Sequence, residues 1–171
     1  MKPKVQEIET EVLPPEAVDP KNEFARVLAF ILDDLIPIPG TKYRVGLDPI
    51  IGLIPGFGDT STAAVSSLIL VHAVRAGVPR VVLLRMAINI LINSIFGAVP
   101  GIGDLFSAWF KSNQQNYSLL KRHSGSTRTS TTTDWIFLIV LVVLVLAVAL
   151  TMALAIGYLA YRMVSVLFGW S

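Results

Sequence analysis

Two aspartates set in apolar sequence are the residues of this chain best placed to do chemistry. Asp59 closes the run Gly52-Leu53-Ile54-Pro55-Gly56-Phe57-Gly58-Asp59, and Asp104 closes Gly97-Ala98-Val99-Pro100-Gly101-Ile102-Gly103-Asp104, 45 positions later. Carboxylates beside Pro-Gly breaks, at matching places in two hydrophobic segments, are the pattern of discontinuous helices that meet at a cation or proton site. The same residues have a plainer use. Pro-Gly-x-Gly makes a tight turn and the Asp caps the helix that follows, a device worth about 0.5–2 kcal/mol. Capping is the simpler reading, because Asp59 precedes Thr60-Ser61 and both acids fall where a cap belongs. Asp48, with Pro49 behind it, repeats the capping pattern.

A second polar feature is the spacing of Arg85, Asn89 and Asn93, every four residues along an otherwise apolar segment, which makes one stripe on a helix. The stripe either pairs with Asp48, Asp59 or Asp104, or lets Arg85 snorkel while the Asn side chains satisfy interhelical backbone. Asp33-Asp34 could meet a metal or act as acid and base, yet Lys42 and Arg44 stand close in sequence as ordinary ion-pair partners. His72 and His123 have no metal-ligand spacing with another donor. Cysteine is absent, which excludes disulfides, zinc-thiolate sites, iron-sulfur clusters and a cysteine nucleophile. Neither a phosphate loop, a Gly-x-Ser-x-Gly elbow nor a His-Glu-x-x-His pair is found, so a non-enzymatic protein without cofactor or metal is expected.

The elements that must carry these residues read as helices throughout. Residues 1–18 are acidic and broken by Pro3, Pro14 and Pro15, and read as a flexible tail. Asp19-Pro20 opens an amphipathic helix bearing Phe24, Val27, Leu28, Ile31, Leu32 and Leu35, which Pro37-Ile38-Pro39-Gly40 ends. Further helices are expected from Asp48 to the first Pro-Gly break, over 60–75, over 80–99, and over 105–122 with Leu105, Phe106, Trp109, Phe110, Tyr117 and Leu120 near one face. The Ser/Thr-rich stretch 124–134 reads as a linker. Residues 136–160 then run 25 positions without a charge, about 37 Å as a helix and enough for a tilted transmembrane span. Trp135 at one end, with Tyr158 and Tyr161 at the other, supplies interfacial aromatics. The organisation expected is therefore a tail (1–18), a helical membrane-associated domain with an internal repeat (19–123), a linker (124–134), a transmembrane helix (135–161) and a short end (162–171).

Charge sets the topology. The first 34 residues hold eight acids against four bases, whereas residues 60–171 hold eight bases against Asp104 and Asp134. No basic region followed by an apolar core marks a signal peptide, and no basic stripe interleaved with aromatics points to nucleic acid. If both Pro-Gly segments crossed the bilayer, Arg75, Arg80 and Arg85 would lie opposite Lys42, Arg44, Lys111, Lys121 and Arg122, against the tendency of basic loops to stay cytoplasmic. Re-entrant or interfacial hairpins remove the conflict, and this is the leading arrangement. Small residues, Gly52 with Gly56, Gly97 with Gly101, and Ala149, Ala153 and Gly157, offer seams for helix association.

The run LDDLIPIPGTKYRVGLDPIIGLIPGFGD from Leu32, with the second VPGIGD ending at Asp104, resembles the bacterial and fungal proteins of domain-of-unknown-function family 4112. The resemblance covers about residues 24–117. It implies a small helical membrane-associated module and carries no functional residues across; the C-terminal helix lies outside it and reads as an added anchor.

The fold class expected is an all-α integral membrane protein: a duplicated helix-PGxGD-helix module plus one C-terminal transmembrane helix. The functional expectation is a membrane-bound interaction or scaffolding module in a bacterial inner membrane, its N-terminal domain cytoplasmic. Its expected partners are the lipid bilayer and a second copy or another membrane protein. The alternative is an oligomeric channel or transporter using Asp59 and Asp104 in a cation or proton path.

Overall fold

Apolar spacing and helix-stop residues account for most of the element order. The computed structural model describes residues 22–52, 57–99, 102–125 and 129–169, apart from the side chains of Phe57 and Asp59. The acidic tail, the Asp19-Pro20 start, both Pro-Gly pairs and part of the linker lie outside the described residues. Helix α1 (Glu23–Asp33) buries Ala25, Ala29, Leu32 and Asp33, and leaves Phe24, Val27 and Phe30 exposed. Its cap position is Asn22, whose Nδ2 donates to Ser124 Oγ at 2.7 Å and so ties the start of the domain to its end.

The all-α expectation gains one short ladder. The Pro37–Gly40 helix stop turns back as a hairpin in which β1 (Ile36–Pro37) pairs antiparallel with β2 (Arg44–Val45), Ile36 facing Val45 and Pro37 facing Arg44. Gly40 takes the left-handed φ of 77° that the reversal needs. The chain then passes so close to α1 that a Cβ on Gly46 would overlap the Leu32 carbonyl, and Leu47 N donates to Ile31 O at 3.0 Å. Helix α2 (Asp48–Gly52) follows.

Helices α3 (Phe57–Arg75) and α4 (Arg80–Gly97) form an antiparallel pair joined by Gly77, at φ 74°, and Pro79. After the second Pro-Gly pair come α5 (Ile102–Phe110) and α6 (Ser112–His123). Two expectations need correction here. The helices after the breaks begin at Phe57 and Ile102, not at Thr60 and Leu105, so Asp104 lies within the first turn of α5 rather than ahead of it. The single helix expected over 105–122 is two, broken at Lys111, which adopts a left-handed φ of 51°. The early restart has a steric cause: Gly58 packs against the Ile51 carbonyl and Gly103 against the Gly97 carbonyl, where any Cβ would collide.

The long helix α7 (Thr132–Phe168) starts on a capping box, with Asp134 accepting from Thr131 N at 2.9 Å and Thr131 Oγ1 at 2.8 Å. Arg80 Nε donates to the other Asp134 oxygen at 2.6 Å, and the Arg75 guanidinium lies 5.9 Å from the Trp135 ring. From there α7 packs along α3 and α4, burying Leu138, Leu141, Val145, Ala149 and Ala153 at helical spacing. Its outer face, with Ile136, Ile139, Val140 and Val143, is apolar and exposed. The small-residue seam expected to support self-association is used inside the chain at Ala149 and Ala153, while Gly157 opens onto free space. Beyond Ala153 the helix runs on with Leu154, Tyr158 and Leu159 exposed. Helices α4 and α7 are each long and apolar enough to cross a membrane.

Candidate functional site

The interior of the bundle is not uniformly apolar. Where α1, α2, α3, α4 and α6 converge, Asp33, Asp48, Thr62, Asn89, Asn93, Ser112, Asn113 and Asn116 are all buried. Such groups are expensive to bury unless hydrogen-bonded. Most are. Asn93 Nδ2 donates to Asp48 Oδ2 at 2.6 Å, and the Thr62 side chain donates to the same carboxylate. Asn113 Nδ2 and Gln114 N donate to the two oxygens of Asp33, each at 2.8 Å. Asn89 Nδ2 donates to Asn116 Oδ1 at 2.8 Å, and Asn116 Nδ2 to the Met86 carbonyl at 3.1 Å.

Asp33 owes its position to the break at Lys111. Helix α6 has Lys111 at its cap, a side chain with no acceptor, so the first amides of α6 lack a cap of their own. The Asp33 carboxylate, arriving from α1, accepts from the third of them, Gln114 N. Lys111 itself swings outward to an ion pair with Asp34. Arg44 Nε donates to the Asp34 main-chain oxygen at 2.7 Å and its guanidinium lies 5.4 Å from the Phe30 ring. The Asp33-Asp34 pair is thus divided: Asp34 takes the cation, which is Lys111 and neither Lys42 nor Arg44, and Asp33 turns inward to amides.

Burial pushes both inward carboxyls up. Asp33 rises from the ordinary 3.8 to about 7, chiefly through desolvation with a smaller push from the negative charge of Asp48, against the pull of its bonds from Asn113 and Gln114. Asp48 is also raised by burial, opposed by Thr62 and Asn93. Among the described residues neither acid forms an ion pair, and there is no group of three His, Cys, Asp or Glu able to hold a metal.

The residues singled out from sequence are therefore only partly brought together. The expected stripe splits by depth: Asn93 reaches Asp48, Asn89 reaches Asn116, and Arg85 emerges on the surface. There it lines an open polar pocket of about 330 Å³ with Asn89, Lys111, Gln114, Gln115 and Arg122, in the company of two other cations instead of an acid. Asp48, read as a simple helix cap, is a buried acceptor for two other helices. Asp104 is half-buried in α5, and the Asp59 side chain lies outside the described residues. Gly52, Gly58, Gly97 and Gly103 serve the close helix approaches described above, while Pro55, Gly56, Pro100 and Gly101 lie outside the described residues. Sequence reasoning missed Ser112, Asn113 and Asn116. Their signal was available: Asn113 and Asn116 continue, at helical spacing, the face that Leu120 buries.

These features define a mostly helical bundle with a polar centre, a short β-hairpin and two helices of membrane-crossing length. The chain belongs to the family described as Domain of unknown function (DUF4112), whose model matches residues 23–124 and so takes in α1 to α6 and stops short of α7. No curated protein and no solved structure matches the chain.

Proposed function

We propose that this protein is a non-enzymatic, membrane-anchored interaction module, with α7 as an anchor built into the bundle instead of tethered to it. One observation carries the reading: the first half of α7 completes the α3–α4 core on one side and offers an unbroken apolar surface on the other. Exposed Leu84 and Ile88 on α4 extend this kind of surface beyond α7. Apolar area of that extent marks contact with lipid or with another protein. In this reading the bundle sits beside its anchor in the cytoplasmic leaflet of a bacterial inner membrane, and its partners are the bilayer and a second copy or another membrane protein.

The same reading treats the two Pro-Gly arms as a duplicated helix-turn-helix, entering as re-entrant or interfacial hairpins. Three local facts support it. Gly58 and Gly103 make equivalent close approaches, each arm restarts its helix directly after the break, and Asp48 and Asn93, 45 positions apart like the signatures themselves, bond to each other.

The cysteine-free chain allows a direct test. Ser118→Cys and Ser171→Cys are each treated in intact cells with an impermeant thiol reagent, then after permeabilisation. The expected result is labelling of Ser171→Cys from outside and of Ser118→Cys only after permeabilisation. Equal behaviour at the two positions would contradict a single crossing between them. Crosslinking in native membranes tests the interaction half, and a chain that stays monomeric and uncrosslinked would overturn it.

A further inference from the structure

The buried polar centre carries more acceptors than its donors satisfy. Asn93 and Asn113 each spend their amide nitrogen on a carboxylate, which leaves Asn93 Oδ1 and Asn113 Oδ1 buried without a partner. Asn113 is fully buried and Asn93 is 9% exposed, so bulk water does not reach them freely. Each orphan oxygen belongs to an amide already bonded to one of the two acids. Ser112 Oγ, on the residue preceding Asn113, is a third buried oxygen without a partner.

We propose that this centre, between Asp48 with Asn93 and Asp33 with Asn113, binds a small monovalent cation of the sodium class. The proposal goes beyond the interaction-module reading and does not depend on it. Carboxylate and amide oxygens are the ligands that hard cations take. A bound cation would use the idle amide oxygens and offset the negative charge of two acids that lack an ion-pair partner among the described residues. Each carboxylate already accepts two hydrogen bonds, which disperse its charge, and the three idle oxygens are neutral, a ligand set weak enough to suit a singly charged ion.

The test is thermal unfolding of the full chain in detergent at constant ionic strength and pH 8, with choline chloride replaced stepwise by NaCl, and in parallel by KCl, MgCl2 or CaCl2. The expected result is a saturable rise in Tm with Na+, about 5 °C or more once the ion exceeds its Kd a hundredfold. Asp48→Asn should abolish the rise. Should that variant fail to fold, the wild-type titration still decides. The exchange Asp48→Asn with Asn93→Asp keeps both the hydrogen bond and the charge, and should restore the response. Equal Tm in sodium and choline would mean that water alone serves the orphan oxygens, and would overturn the proposal. A response confined to the divalent ions would overturn its assignment to a monovalent cation.

Discussion

The two arms that follow the Pro-Gly signatures begin alike and end differently. In the first, α3 runs unbroken from Phe57 to Arg75 and contributes Ile69, Leu70, Ala73 and Val74 to an apolar core. In the second, the path breaks at Lys111 into α5 and α6, and α6 buries Ser112, Asn113 and Asn116. The residue 45 positions before Lys111 is Ser66, which lies inside α3. One arm stays a single helix, which packs on the apolar core and lends Thr62 to the polar centre. The other gives up helical continuity so that a fresh helix N-terminus meets Asp33. The residues beyond each signature decide whether the arm stays one helix or restarts to meet Asp33.

The largest effect is expected where the arms are alike. Gly58→Ala and Gly103→Ala should each destabilise the fold by about 3 kcal/mol, because the added methyl meets main-chain atoms that cannot step aside. Gly157→Ala, in open space, is the control and should be neutral. Chemical denaturation of the purified chain measures all three, and a tolerated Gly103→Ala beside a crippling Gly58→Ala would show that the two approaches are not equivalent.

Next come the polar contacts of the centre. Asn93→Ala removes a donor from buried Asp48 and should cost about 2 kcal/mol. The cost should shrink in an Asp48→Asn background, where no charge is left stranded; a double-mutant cycle reads the coupling.

The polar centre should impose a pH dependence. Asp33 has a folded value above its unfolded one, so folding favours the protonated form. Stability from this group is full below about pH 4 and falls as pH rises towards about 7, at up to about 1.4 kcal/mol per pH unit. Asp48 acts in the same direction. Asp33→Asn should flatten the decline between pH 5 and 7, and an unchanged slope in that variant would show that other groups produce it.

The smallest effect is expected at the break itself. Lys111→Gly relieves a left-handed conformation costing about 1–2 kcal/mol but loses the ion pair with Asp34, so the net change should stay within about 1 kcal/mol.

The helices, the stop at Pro37 and the long apolar C-terminal helix were legible because each rests on local signals: apolar periodicity at Phe24 to Leu32, Asp48-Pro49, Gly77 with Pro79, and the uncharged run after Trp135. The polar centre was legible only in fragments. Asn89 and Asn93 stood out against an apolar helix, but their partners are 27 and 45 residues away, and no local pattern says that Asp33 will cap a helix 80 residues on. The break at Lys111 was hidden for the same reason. Neither glycine nor proline marks it, and it exists because tertiary contacts from Asp33 and Asp34 stabilise the helix restart.

In the proposed arrangement the bundle lies beside its anchor with the α4–α7 face in lipid. The direct measurement attaches a nitroxide to Ile88→Cys on α4, Val143→Cys on α7 and Gln115→Cys on α6, all exposed in the structure, in the reconstituted full chain. Relaxation by oxygen, which concentrates in the bilayer, is compared with relaxation by a water-soluble nickel chelate. Immersion of that face predicts that positions 88 and 143 respond to oxygen and position 115 to the chelate. If position 88 responds to the chelate as strongly as position 115 does, the bundle stands in water beside the membrane, and the proposed arrangement is wrong.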